Sequence, residues 1–174
     1  MKQTFKFINK IYIIMLGSKC LEINILKPTR HKQTLLFECY NTFFEMVMQI
    51  LNIKKNNTNI SRKEIQNLIY KTFRKEYNIA SQLIIEAKTY AWNIRKQRIP
   101  KKITVRFDKR LFSIKTTRRN NPVLSLRLNH ERIAIPIRQD GAYKRLLEHI
   151  QDGWEITSIT MTKDFRFYAT IKKE

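Results

Sequence analysis

The apolar positions of the chain change period once, near residue 100: before it they recur every three or four residues, after it they alternate. One alternation stands ahead of the helical part. Leu21, Ile23 and Ile25 run against Glu22 and Asn24, which predicts a strand over residues 19–26, ended by Lys27-Pro28-Thr29. Over 31–53 the residues Leu35, Leu36, Cys39, Tyr40, Phe43, Phe44, Val47, Ile50 and Leu51 form one stripe. This predicts a long helix with Thr29 as its N-cap. Phe43, Phe44, Met46 and Met48 read as core. Ser61 and Glu64 have the spacing of a capping box, and the helix they open carries Ile65, Leu68, Ile69 and Phe73 to about Tyr77. A third helix carries Leu83, Ile84, Ala87, Tyr90, Ala91 and Ile94 on one stripe, with Ser81 placed to cap it. Trp92 lies off that stripe, facing a partner or a sheet. Pro100 closes the helical section.

From Lys101 onward the period is two. Strands are predicted over 102–107, 111–116, 123–128, 132–137, 154–161 and 165–172. Ile103, Val105 and Phe107 share a face, as do Leu124, Leu126 and Leu128, then Ile133, Ile135 and Ile137, then Phe165, Phe167, Ala169 and Ile171. Phe112 and Ile114 point inward, with Leu111, Ser113 and Lys115 outward. Asn120-Asn121-Pro122 and Thr162-Lys163-Asp164 are turn sequences. Pro136 lacks the N–H a ladder needs, so its strand lies at an edge or is bulged there. Residues 143–150 predict a short helix with Leu146, Leu147 and Ile150 inward. The class is therefore α+β: a strand, three helices, then an antiparallel sheet of about six strands.

Composition adds a partner to this outline. The 174 residues hold 35 Lys and Arg against 14 Asp and Glu, a formal charge of +21. A charge of that size attracts polyanions, with nucleic acid ahead of an anionic membrane, since no long basic amphipathic helix is present. The charge concentrates in residues 95–119, where Asp108 is the only acid. Apolar residues thread that block at period two, so it reads either as a solvated face or as one cationic side of a sheet. Arg95, Lys96, Arg98, Lys101, Lys102, Arg106, Lys109, Arg110, Lys115, Arg118 and Arg119 are the candidate phosphate ligands there. Lys27, Arg30 and Lys32 are a second set, beside the free N–H groups at the start of the long helix. Ser81, Gln82 and Lys88 are candidate base contacts, Ser81 having the alternative role of N-cap. Tyr90 and Trp92 either stack on bases or pack in the core.

The remaining chemistry is thin. Fourteen acids show no pairing suited to two metal ions, and there is no Gly-rich phosphate loop, G-x-S-x-G or H-E-x-x-H. His31, His130 and His149 lack ligand spacing with Cys20 and Cys39, so neither a metal nor another cofactor is expected. Both Cys lie among apolar residues and read as core thiols of a reducing, cytoplasmic compartment. Residues 1–16 carry too short an apolar run for a secretion signal or a membrane span. Of these, residues 1–14 read as an extension ahead of a start at Met15.

The order of elements resembles a known family. Residues 21–51, LEINILKPTRHKQTLLFECYNTFFEMVMQIL, resemble the opening of the TnpB (OrfB) proteins of insertion sequences. Ser81-Gln82-Leu83, FDKRLFS over 107–113, Ile135-Pro136-Ile137, YKRLL over 143–147 and FRFYATI over 165–171 recur in the family's order, so the likeness covers about 19–174. It implies a wedge β-barrel whose first strand comes from 17–28 and whose remainder comes from 100–174. A helical recognition region, 29–99, is inserted between them. It implies a grip on a guide-like structured RNA and on duplex DNA flanking a target, as in type V CRISPR effectors. The family's RuvC-like nuclease domain and zinc ribbon would begin where this chain stops, at Glu174. The family's full-length members are DNA endonucleases. The expectation here is binding without cutting, in the cytoplasm or at the nucleoid. The alternatives are a remnant or split half that needs a RuvC-containing partner chain, and a basic regulatory protein that binds acidic proteins.

Overall fold

The structure is a computed structural model that describes residues 17–57, 59–94, 100–129 and 131–173. Four helices and seven strands occur among these residues. The strands are β1 (Ser18–Ile23), β2 (Val105–Asp108), β3 (Phe112–Thr116), β4 (Pro122–Arg127), β5 (Arg132–Pro136), β6 (Glu155–Met161) and β7 (Phe167–Lys172). The helices are α1 (Arg30–Asn56), α2 (Arg62–Glu76), α3 (Ser81–Asn93) and α4 (Gly141–Gln151).

Local chemistry accounts for most boundaries. The Thr29 side chain accepts from the Lys32 N–H at the start of α1, and Lys54 and Lys55 sit in its last turn, where a cation suits the helix dipole. Both arms of the α2 capping box form: Glu64 N–H donates to Ser61 Oγ (3.2 Å) and Ser61 N–H donates to Glu64 Oε2 (2.7 Å). Asp140 Oδ1 accepts from the N–H groups of Ala142 and Tyr143 to start α4. Helix α3 differs from expectation. Its N-cap is Ala80, which has no side-chain acceptor, and Ser81 is the first helical residue. The start of α3 is held instead by the Ala80 N–H donating to the Leu128 carbonyl at 2.9 Å. Its C-terminus is held by Lys54, whose Nζ donates to the carbonyls of Trp92 (2.8 Å) and Ile94 (3.0 Å).

The strands form two antiparallel sheets, in the orders β1-β7-β6-β2 and β3-β4-β5, rather than the single sheet expected. They do not close into a barrel. They meet at two seams. After β1 the chain bridges Ile25 to Ile137, with Leu26 N–H on the Pro136 carbonyl (2.9 Å) and Arg138 N–H on the Asn24 carbonyl (2.7 Å). After β2 a tight turn delivers Leu111, whose carbonyl accepts from Arg127 N–H at 2.8 Å. That bond explains why Leu111 is buried rather than outward: it lies in the turn joining the sheets. Pro136 ends the edge strand β5, as its missing N–H requires.

The inner faces of both sheets and the inward faces of the helices make one continuous core, from Phe43, Val47 and Leu83 through Phe107 to Leu124 and Phe167. The junction between helices and sheet is polar and satisfied. Buried Tyr40 accepts from the Ile103 N–H and donates to the Ile103 carbonyl, both at 3.2 Å. Three other expectations change. Cys20 is exposed, because β1 turns it outward opposite Thr170, while Cys39 is buried. On α4, Tyr143 and Leu146 are buried but Leu147 and Ile150 are exposed. Among the described residues no helix is long and apolar enough to cross a membrane.

Candidate nucleic-acid interface

Helix α3 begins beside the end of β4. The bond from Ala80 to Leu128 brings Ser81 and Gln82 against the turn between β2 and β3. The result is an open cleft of about 290 Å³ lined by Ser81 and Gln82 on one side and by Arg110, Arg127 and Asn129 on the other. Two residues expected to face bases and one expected to hold phosphate thus share a wall-to-wall space, although about thirty positions separate them in the sequence.

Two carboxylates border this cleft. Asp108 Oδ2 accepts from Arg110 Nε (3.0 Å) and Nη2 (2.8 Å), and its Oδ1 accepts from the Arg110 N–H. Glu86, one helical turn beyond Gln82, lies 3.8 Å from Arg106. Burial raises the Glu86 pKa above its ordinary value; Arg106 opposes that rise and Asp108 adds to it. Arg106 and Arg110 are therefore positioned by acids. Among the described residues Arg127 forms no ion pair and is exposed. The opposing residue in β5 is Arg132, whose Nη2 donates to the Arg110 carbonyl at 3.1 Å.

The other candidates disperse. Lys101 and Lys102 are exposed just ahead of Ile103. Lys109 pairs with Glu155 at 2.6 Å, which holds that carboxyl below its usual range. Lys115, Arg118 and Arg119 are exposed on β3 and the β3–β4 turn. Lys27 and Arg30 are exposed on the approach to α1, whereas Lys32 donates to the Ala134 carbonyl at 2.6 Å and so ties α1 to β5. Arg95, Lys96 and Arg98 lie outside the described residues.

Three candidates stand apart from the cleft. Lys88 is buried between α3 and α2, bonded to Gln66, and burial together with Arg62 lowers its pKa. Tyr90 packs edge-on against Phe43, with centroids 6.3 Å apart. Trp92 is half-buried beneath the Lys54 ammonium, 5.1 Å from its ring centre. The sequence reading passed over Arg127, Arg132 and Asn129. Arg127 was within reach of it: Leu124, Leu126 and Leu128 fix the inward parity of β4, which turns Arg127 outward.

Comparison of the chain with models of known protein families and with curated proteins gives no match.

Proposed function

We propose that the chain is a non-catalytic nucleic-acid-binding protein that holds phosphates on a basic surface centred on the α3 cleft. The observation that carries this reading is the meeting of Arg110 and Arg127 with Ser81 and Gln82 across one open cleft, in a chain of charge +21. Guanidinium groups fork onto phosphate oxygens, while hydroxyl and amide side chains hydrogen-bond to sugars or base edges. Asp108 and Glu86 hold Arg110 and Arg106 in place beside the cleft.

The finer reading is that of the N-terminal half of a TnpB protein. In it the two sheets, joined at their seams, serve as a barrel-like wedge and α1 to α3 as the inserted recognition region. The bound species is then a guide-like structured RNA, with duplex DNA as a second ligand. The order strand, three helices, six strands with a short helix among them supports this.

The test is purification from cells under low salt, followed by sequencing of the nucleic acid that travels with the protein. One defined RNA or DNA population, lost on treatment with the matching nuclease, is the expected result. Protein free of nucleic acid, and inert toward added RNA and DNA, contradicts the reading. Incubation of the nuclease-treated protein with Mg²⁺ or Mn²⁺ and labelled DNA is expected to give no cleavage; cleavage that follows the protein through further purification refutes the non-catalytic part.

A further inference from the structure

The outer face of the three-stranded sheet carries cations and no acid. Its outward positions fall in three cross-strand rows. Lys115, Val123 and Pro136 make the first row, and Ser113, Ser125 and Ala134 the second. Arg127 and Arg132 make the third. All three cations are exposed, and among the described residues none of them is in an ion pair. Between Asp108 and Glu131 the chain holds Lys109, Arg110, Lys115, Arg118, Arg119 and Arg127 and not one carboxylate.

Placing two arginines directly opposite each other costs stability in a sheet. A hydrogen bond from Arg132 to the Arg110 carbonyl offsets part of that cost, but no apolar packing does, because Leu124, Leu126, Ile133 and Ile135 point the other way. The middle row is low, consisting only of Ser and Ala, so a bulky ligand reaches the strands themselves. At about 3.4 Å per residue, the Lys115 row and the Arg127 row lie about 14 Å apart, the axial length of about four base pairs. No aromatic side chain points out from this face, which removes the means by which single strands are held through their bases. A surface with cations at both ends, a low floor and no stacking platform reads backbone shape.

We infer that the outer face of β3-β4-β5 seats the sugar–phosphate backbone of a double helix, Lys115 and the Arg127–Arg132 pair taking phosphates on either side of the Ser113–Ser125–Ala134 floor. This rests on the nucleic-acid reading above and assigns it a second surface, which meets the α3 cleft at Arg127.

The experiment places charges of opposite sign at the centre of the floor. Ser125 is outward and half-buried, away from the cleft lining. Binding of the full chain, Ser125→Glu and Ser125→Lys is measured against a blunt RNA duplex, the DNA duplex of the same sequence and one of its single strands. On the preferred duplex, Ser125→Glu is expected to bind about tenfold more weakly and Ser125→Lys a few-fold more tightly. The unmodified chain is expected to favour that duplex over the single strand by about tenfold or more. Damage to the fold would move both variants in the same direction, so opposite shifts identify contact. Equal affinities of both variants and the parent, in a parent that does bind duplex, overturn the inference and leave the general reading standing. So does a single strand that binds as well as either duplex. A parent that binds none of the three probes overturns both.

Discussion

Asp108 holds Arg110 at the α3 cleft, and removing its charge is expected to tighten binding. Arg110 and Arg127 line the cleft, Arg110 pairs with Asp108, and Arg106 pairs with Glu86 beside it, a net charge of about one. In Asp108→Asn the Asn oxygen still accepts from the Arg110 N–H, as Oδ1 does now at 3.0 Å, but the guanidinium is released from its charged partner. A unit charge about 8 Å from a phosphate contributes about 0.5 kcal/mol in water and roughly 1 kcal/mol at half that dielectric constant. The variant is therefore expected to bind about two- to fivefold more tightly. Its salt slope is expected to change by less than one contact, about 0.7–0.9, because Arg110 already meets phosphate in the parent. Stability changes little, because Arg110 is largely exposed and pairs of this kind contribute up to about 1 kcal/mol. Fluorescence anisotropy with a labelled duplex at three salt concentrations, together with a urea melt, reads both quantities. Unchanged or weaker binding by an equally stable Asp108→Asn would show that the cleft does not meet phosphate.

Four further outcomes test the structure. Tyr40→Phe leaves the buried N–H and carbonyl of Ile103 without their partner and is expected to cost about 1–3 kcal/mol in urea unfolding; a loss below about 0.5 kcal/mol contradicts the junction described. Lys54→Met strips the charged donor from the end of α3 and is expected to cost about 2 kcal/mol; if helical content and midpoint stay unchanged, Lys54 is not the cap. Burial raises the pKa of Glu86 in the folded state, so the native protein holds that proton more tightly than the unfolded chain. Stability should therefore fall as pH rises from about 4.5 through the raised value, and Glu86→Gln should lack that slope; an identical slope in the variant assigns it elsewhere. One thiol should react with a maleimide under native conditions, since Cys20 is exposed, whereas Cys39 is buried with its pKa pushed up to about 12; two reactive thiols would contradict this burial.

Periodicity carried the element order because the apolar faces of the elements meet in a single core. The α1 stripe, the Ser61–Glu64 box and the alternations of β4, β5 and β7 are local signals, and local signals survive into the fold. What periodicity did not carry was which strands pair. The division into two sheets depends on the turn at Leu111 and on the bridge from Ile25 to Ile137, more than a hundred residues apart. Cys20, Leu147 and Ile150 have the apolar character of core residues, yet each sits where its element turns outward. Residue type favours Ser81 as a cap, while the carbonyl of Leu128 holds the helix start through Ala80. The basic residues were legible as a set but not as a geometry. Arg110 and Arg127 become neighbours of Ser81 through the Ala80–Leu128 bond and the Arg127–Leu111 bond, and Arg127 lies outside the densest cationic run.

The central claim is that this surface holds nucleic-acid phosphates, and the dependence of affinity on salt tests it most directly. With about five phosphate contacts, log K plotted against log salt concentration should fall with a slope near −3.5 to −4.5, from about −0.7 to −0.9 per contact. Replacing Arg110, Arg127 and Arg132 together by Ala should make that slope shallower by about 2 to 3 while the melting curve stays close to that of the parent. A slope near zero for the parent, or an unchanged slope in the folded triple variant, would contradict the account.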